Sequence, residues 1–293
     1  MSDYVLISDN TCDLEDSFYE KNHIETLMLP YSIDDVVYTK ETAVSFKDFY
    51  DSIRAGKMPT TMACNPEDYM NGFRKYLEQG TDIIYLAFSS GLSSSYSNSV
   101  IAAEELSEEF PDRKIIIVDS LCASGGEGLL LYKAVLKRDS GATIEELAEY
   151  IESIKLNICH YFTVNDLFHL HRGGRVSKAT AIVGTLINVK PVLHVNDEGK
   201  LVSLFNVRGR KKSLQALVSA MEDSTKEPPV DNDICIITHG DCEDEANALA
   251  EELKTKFGVK EVIVSYASQT IGAHTGPGLI ALFFMGNSRS INK

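Results

Sequence analysis

Four short runs in the first half of the chain, Tyr4 to Ser8, Thr26 to Tyr31, Asp82 to Phe88 and Lys114 to Val118, are apolar and β-branched along nearly their whole length. A strand that is apolar on both faces must be covered on both faces. The sequence supplies the cover between and after them: Ser45 to Ile53, Pro66 to Gln79, Ser94 to Leu106, Gly126 to Leu136 and Ile144 to Ile154 read as helices. Buried strands separated by helices specify a mostly parallel sheet flanked by helices, an α/β domain.

After Lys155 the texture changes. A strand is expected at Ile158 to Val164, a helical turn at Asp166 to His171 and an apolar helix at Ala179 to Val189. Pro191 to Val195 and Leu201 to Val207, joined by Asn196-Asp197-Glu198-Gly199, read as a β-hairpin. Further on come a helix at Lys212 to Glu222, a strand at Ile234 to His239, a helix at Glu243 to Phe257 and a strand at Val262 to Tyr266, with the polar stretch Ser224 to Asp233 as a surface loop. Hairpin and helices together predict an α+β, mixed-sheet second domain. The 293 residues are long enough for two cores, and the division is expected near 156, giving domains 1–156 and 157–293.

A formal net charge of -15 argues against nucleic acid or an anionic membrane as the main partner. No segment approaches the roughly 20 apolar residues that span a bilayer. The six cysteines contain no Cys-x-x-Cys pair, so reduced thiols in a cytoplasmic protein are expected, with no zinc ribbon. His169 and His171, or His239, Asp241 and Cys242, are chemically competent metal ligands, but neither spacing matches a motif with a mechanism behind it. No metal and no cofactor is predicted.

Three polar clusters follow predicted strands: Asp9-Asn10-Thr11, Ser89-Ser90-Gly91-Leu92-Ser93 and Asp119-Ser120. The carboxyl edge of a parallel sheet is where ligands bind, and Ser93 and Ser94 enter a helix whose free N–H groups suit an anion. The plainer reading of Ser93 is a helix cap. Pro59-Thr60-Thr61 adds hydroxyls in a predicted loop. Hydroxyls with almost no Arg or Lys among them suit a single carboxylate better than a phosphate. Basic residues gather instead in His171-Arg172-Gly173-Gly174-Arg175 and Arg208-Gly209-Arg210-Lys211-Lys212, which fit an anion, an acidic partner, or simply a solvated face. In Ile271-Gly272-Ala273-His274-Thr275-Gly276-Pro277-Gly278, three glycines and a proline frame one histidine, as in a loop bringing an imidazole to a pocket, and the proline suits the first turn of a helix over the apolar run Leu279 to Met285. Ser93, His274 and Asp119 would make a hydrolase if they converged, but Gly91-Leu92-Ser93-Ser94-Ser95 lacks the second glycine of a nucleophile elbow.

Taken in order, Ser8-Asp9-Asn10-Thr11-Cys12-Asp13-Leu14, Pro59-Thr60-Thr61, Ser89 to Ser93, Val118-Asp119-Ser120, Arg172 to Ser177, Lys190-Pro191-Val192-Leu193, Val207-Arg208 and Ile271 to Gly278 resemble the DegV family of bacterial fatty-acid-binding proteins, carrier subunits of fatty-acid kinase. The resemblance covers nearly the whole chain. It implies two α/β-type domains with a long-chain fatty acid in the cleft between them. Its carboxylate would be held by Thr61, Ser93, Ser94 and His274, with His274 beside Ser93 and with Arg172, Arg175 and Arg208 near the mouth, facing a kinase subunit. No catalytic residue of its own is implied, since the kinase would form the acyl phosphate. The chain departs from the family at Met62-Ala63-Cys64-Asn65, where relatives commonly continue Ser-Gln-Pro-Ser, and at Ser94 and Ser95, where glycine and threonine are common. A serine-dependent acyl hydrolase or transferase and a ligand-responsive interaction protein are the competing readings.

Overall fold

The computed structural model describes residues 4–165, 167–177, 188–227, 230 and 232–289. Its first sheet is four-stranded and wholly parallel, in the order β2 (Glu25–Leu27), β1 (Tyr4–Asp9), β6 (Asp82–Ala87), β7 (Ile115–Asp119). Helices α1 (Asp16–Lys21), α3 (Pro66–Leu77), α4 (Ser95–Glu109), α5 (Gly125–Asp139) and α6 (Ile144–Ile154) connect and cover these strands. Local sequence fixes their starts: Asn65 with Asp68, and Thr143 with Glu146, form reciprocal capping boxes, and Pro66 occupies the first turn, where no N–H is needed. A small antiparallel sheet of β3 (Tyr31–Ile33), β4 (Val36–Tyr38) and β5 (Thr60–Thr61), with α2 (Phe46–Arg54), is added at one side.

A 3-10 turn at Lys155–Asn157 leads into the second sheet, which is mixed and six-stranded. Its order is β10 (Leu201–Arg208), β9 (Val189–Val195), β8 (Ile158–Thr163), β13 (Ile280–Met285), β11 (Ile234–His239), β12 (Glu261–Tyr266). Only β11 and β12 run parallel, joined by the crossover helix α9 (Glu243–Phe257), while α8 (Arg210–Thr225) packs on the same face. The remaining helices are α7 (Phe168–Arg172) and α10 (Gln269–Thr275). The hairpin β9–β10 forms as its turn residues require, with Gly199 at φ +70° and the Asn196 side chain accepting from the N–H groups of Glu198 and Lys200. Its outer strand carries a bulge between Ser203 and Phe205.

The structure corrects three expectations. The run Thr26 to Tyr31 is not one strand, because Pro30 has no N–H for a ladder, and the chain breaks there into β2 and β3. The apolar run after Pro277 is not a helix but β13, a central strand between β8 and β11 that is buried on both faces. Such a run reads equally as buried strand or buried helix. His274 is not on a loop: it closes α10, whose Gly and Thr content conceals a helix from propensity. The helix expected at Ala179 to Val189 lies outside the described residues, except that Val189 opens β9. Among the described residues no helix is long and apolar enough to cross a membrane.

One core runs through both large sheets. Leu6, Ile84 and Leu86 of the first and Phe162, Leu193, Ile236 and Phe283 of the second belong to a single buried cluster, with Leu129, Leu130 and Leu131 of α5 among them. A side chain at Gly125 would meet Ile236 and Phe283, one at Gly126 would meet His160, and one at Gly128 would meet the Cys12 carbonyl. These glycines let the helix lie against both sheets at backbone distance.

Asp13 ties the same seam together with polar bonds. It is 4 % exposed, at φ +52°. Its Oδ2 accepts from Ser124 Oγ at 2.5 Å, its Oδ1 from the Ser268 N–H at 2.9 Å, and its carbonyl from Ser265 Oγ at 2.5 Å. Burial pushes its carboxyl up to about 7, against the pull of the Ser124 and Ser268 hydrogen bonds. Between about pH 4 and 7 the folded protein therefore keeps a proton that the unfolded chain releases. This contribution to stability is largest below pH 4 and fades as pH rises to 7, on the order of 4 kcal/mol over the range. Asp13→Asn, which cannot ionise, is expected to flatten the pH dependence of urea unfolding across that window. A slope equal to wild type would mean that Asp13 is already ionised in the fold.

Candidate functional site

Between the carboxyl-edge loops of the first sheet and the inner face of the second lies a cavity of about 190 Å³. Most of its lining is apolar: Leu29, Phe88, Leu170, Ile271, Leu279, Ala281 and Phe283 contribute, with Phe162 and Leu201. Polar groups enter from several elements. Thr61 comes from β5, Ser93 and Ser94 from the loop before α4, Arg175 from just beyond α7, and His274 from the last turn of α10.

His274 Nε2 lies 2.7 Å from Thr61 Oγ1, so the histidine's partner is Thr61 and not Ser93, as the sequence had suggested. The small sheet explains this: β5 pairs with β3 (Tyr31 opposite Thr61), and α10 packs on the same aromatic cluster through Ala273. A side chain at Gly173 would strike His274 Nδ1, which is buried and has no hydrogen-bond partner. Burial, and then the charges of Arg175 and Arg172, hold the imidazole down to about 3, so the ring is neutral at physiological pH.

Arg172 donates through Nη2 to the carbonyls of Pro59 (2.7 Å) and Ala273 (3.1 Å), joining the segments that carry Thr61 and His274. Arg175 donates to the Leu92 carbonyl from Nε (3.1 Å) and Nη2 (2.9 Å), and from Nη1 to that of Gly173. Among the described residues neither guanidinium meets a carboxylate. Two positive charges without a carboxylate partner therefore act on a neutral imidazole, Arg175 from the wall of the largely apolar chamber and Arg172 from outside it. Low dielectric strengthens their field toward any anion there.

A sequence profile described as an uncharacterised protein of the DegV family matches residues 4–287. The chain belongs to the DegV family. A DegV domain-containing protein of Clostridium perfringens is 40 % identical over 291 residues, covering 99 % of each chain. A solved DegV-family protein from Thermus thermophilus, described for fatty-acid binding, is 27 % identical at a TM-score of 0.85, covering 97 % of this chain and 99 % of its own. A fatty-acid-binding DegV-family protein of Streptococcus agalactiae is 27 % identical at 0.84, covering 98 % and 100 %.

Within this DegV fold the remaining predicted residues fall into different places. Ser93 lines the cavity, and it also caps: its Oγ accepts from the Ser95 N–H at 3.2 Å and lies 2.9 Å from Ser95 Oγ. Ser94 is exposed at the N-cap position with no side-chain cap bond. Arg208 is exposed at the end of β10, opposite Val189, and does not line the cavity. Asp119 accepts from the N–H groups of Ser90 and Leu121, so it shapes the serine loop and does not orient His274. Ser93, His274 and Asp119 form no hydrogen-bonded chain. Asp9 and Thr11 face inward: Asp9 accepts from Tyr85 OH (2.5 Å) and the Phe88 N–H (2.8 Å), and Thr11 donates to Glu127 (2.9 Å). Among the described residues no three His, Cys, Asp or Glu side chains are grouped to hold a metal.

Sequence reasoning missed Ser124 and His160, both in the cavity wall. Neither sits in a recognisable motif. The run Leu279 to Met285 is apolar at every position, so nothing in it marks the face that lines the cavity. For His274 the depressed basicity has a direct readout. Its ring resonances in two-dimensional ¹⁵N spectra are expected not to titrate between pH 8 and 5; a midpoint near 6.5 would place the ring in water instead.

Proposed function

We propose that this protein binds a long-chain fatty acid, with its acyl chain in the cavity and its carboxylate at Thr61, Ser93, Ser94 and His274, and presents it to a separate fatty-acid kinase. The observation that carries this reading is the Thr61–His274 pair: a polar contact near two arginines that meet no carboxylate among the described residues, at a largely apolar cavity. The two fatty-acid-binding relatives support the ligand class. The halves 1–156 and 157–293 would then be the two domains that enclose the lipid.

The division of labour follows from magnitudes. At ~0.8 kcal/mol per buried CH2, the chain supplies the bulk of affinity, while each hydrogen bond to the carboxylate adds about 1.5 to 3 kcal/mol and fixes its orientation. A neutral imidazole that donates Nε2–H to Thr61 Oγ1 leaves the threonine proton free to point at the ligand. This arrangement also leaves the partnerless Nδ1 as a lone pair and not as a stranded N–H. Ser93 and Ser94 offer further hydroxyls at the start of α4. Arg175, held by backbone carbonyls, contributes field more than a direct fork. Arg208, exposed and outside the cavity, would face the kinase in the cytoplasm.

Thr61→Ala is expected to stay folded and to weaken palmitate binding by about 10- to 100-fold, measured by calorimetry on delipidated protein; unchanged affinity would remove Thr61 from the carboxylate site. Arg208→Ala is expected to bind palmitate as wild type does and to slow acyl-phosphate formation by the cognate kinase with ATP. Equal turnover would count against a kinase-facing role.

A further inference from the structure

The cavity has a direction. Leu279, Ala281 and Phe283 share one face of the β13 segment and all line it, a span of about 13 Å at the usual rise of a strand. Leu279 follows the Gly276-Pro277-Gly278 turn that leaves His274, so it stands at the polar end. Phe283 stands at the far end. On β8, Phe162 lies opposite Ala281 and His160 opposite Phe283. The His160 and Phe283 rings meet edge to face, with centroids 5.3 Å apart and planes at 87°.

These two rings are fixed from behind. A Cβ at Gly125 would sit 2.6 Å from Ile236 and 2.7 Å from Phe283, and one at Gly126 would run into His160 Nε2. The backbone of the first turn of α5 is thus pressed directly on the pair. His160 is 1 % exposed and held at both nitrogens: Nδ1 donates to the Ile158 carbonyl at 2.9 Å, and Nε2 accepts from the Ala123 N–H at 3.3 Å. Neither ring can retreat without moving backbone.

We infer that His160 and Phe283, backed by Gly125 and Gly126, form a rigid end wall that sets the acyl-chain length this protein accepts. The inference rests on the fatty-acid reading above. An extended chain advances about 1.3 Å per carbon, so 13 Å takes roughly ten carbons in a straight line. Longer acids fit only by bending, and every carbon that fails to find contact forgoes about fourfold in affinity.

The test is competition. Delipidated protein is incubated with an equimolar mixture of saturated acids of even carbon number from decanoic to eicosanoic, and the bound species are quantified by native mass spectrometry. Phe283→Leu opens the wall and is expected to raise occupancy by acids two carbons longer than the wild-type optimum, by up to about 15-fold relative to that optimum. Gly126→Ala pushes His160 inward and is expected to shift the distribution to shorter acids. The opposite directions separate a moved wall from general loosening, and either shift, seen in a variant with a cooperative thermal melt, supports the wall. Tight binding with the wild-type length distribution in both folded variants would overturn the wall and leave fatty-acid binding intact. Wild-type protein that takes up none of the acids would overturn the binding reading itself, and the wall with it.

Discussion

The architecture of the cavity depends on one buried carboxyl group. Asp13 receives Ser124, which lines the cavity and begins α5, and the Ser268 N–H at the start of α10, the helix that ends in His274. The Ser268 contact crosses from the first sheet's connections to the second sheet's, while the Ser124 contact holds the start of α5. A carboxylate stripped of water is unfavourable unless it is protonated or fully hydrogen-bonded. Here three hydroxyl and N–H groups converge on this one residue, two of them on its carboxyl. Breaking any one of them would leave a buried polar group unsatisfied, so the relative placement of the two sheets is specified by an all-or-none polar contact embedded in a shared apolar core.

The carboxyl edge of the first sheet divides its polar residues between two tasks. Asp9, Asp13 and Glu127 are turned inward and raised by burial, and they hold loops in place. Ser93 and Ser94 are turned toward the cavity. The chain as a whole carries a formal charge of -15, yet the charges nearest His274 are Arg175 and Arg172. Long-range charge keeps such a protein soluble, whereas the local field decides what enters the pocket. Backbone carbonyls hold both guanidiniums without neutralising them.

Much of this fold was legible from sequence because its signals were local. The apolar strands of the first sheet, the Asn196 to Gly199 hairpin and the β11–α9–β12 unit each carry their own periodicity and turn residues. The break at Pro30 had a local cause, but the other failures depend on partners distant in the chain. Nothing near Leu279 to Met285 says that strands from residues 158 and 234 will sandwich it, and nothing in Gln269 to Thr275 favours a helix until Ser268 is fixed by Asp13. At the site, Thr61, Ser93 and His274 were recognisable as hydroxyls and an imidazole at turns, and they do share one cavity. That His274 bonds to Thr61 was not recognisable, since the contact is created by the pairing of β3 with β5 and by the packing of α10 on Tyr50 and Phe49. His160 was invisible for the opposite reason: an isolated histidine in an apolar strand has no signature until its register places it opposite Phe283.

The bulge in β10 bears on how the protein behaves in a crowd. This strand is the outer edge of the six-stranded sheet, and Phe205 lies exposed on it. A flat edge of eight residues with an outward aromatic would offer another molecule a ready template for strand addition, the first step toward aggregation. The register shift between Ser203 and Phe205 interrupts the row of free N–H and carbonyl groups and twists it away from planarity. The sheet thus builds one wall of an internal chamber with its inner face while its bulged edge is a poorer template for strand addition.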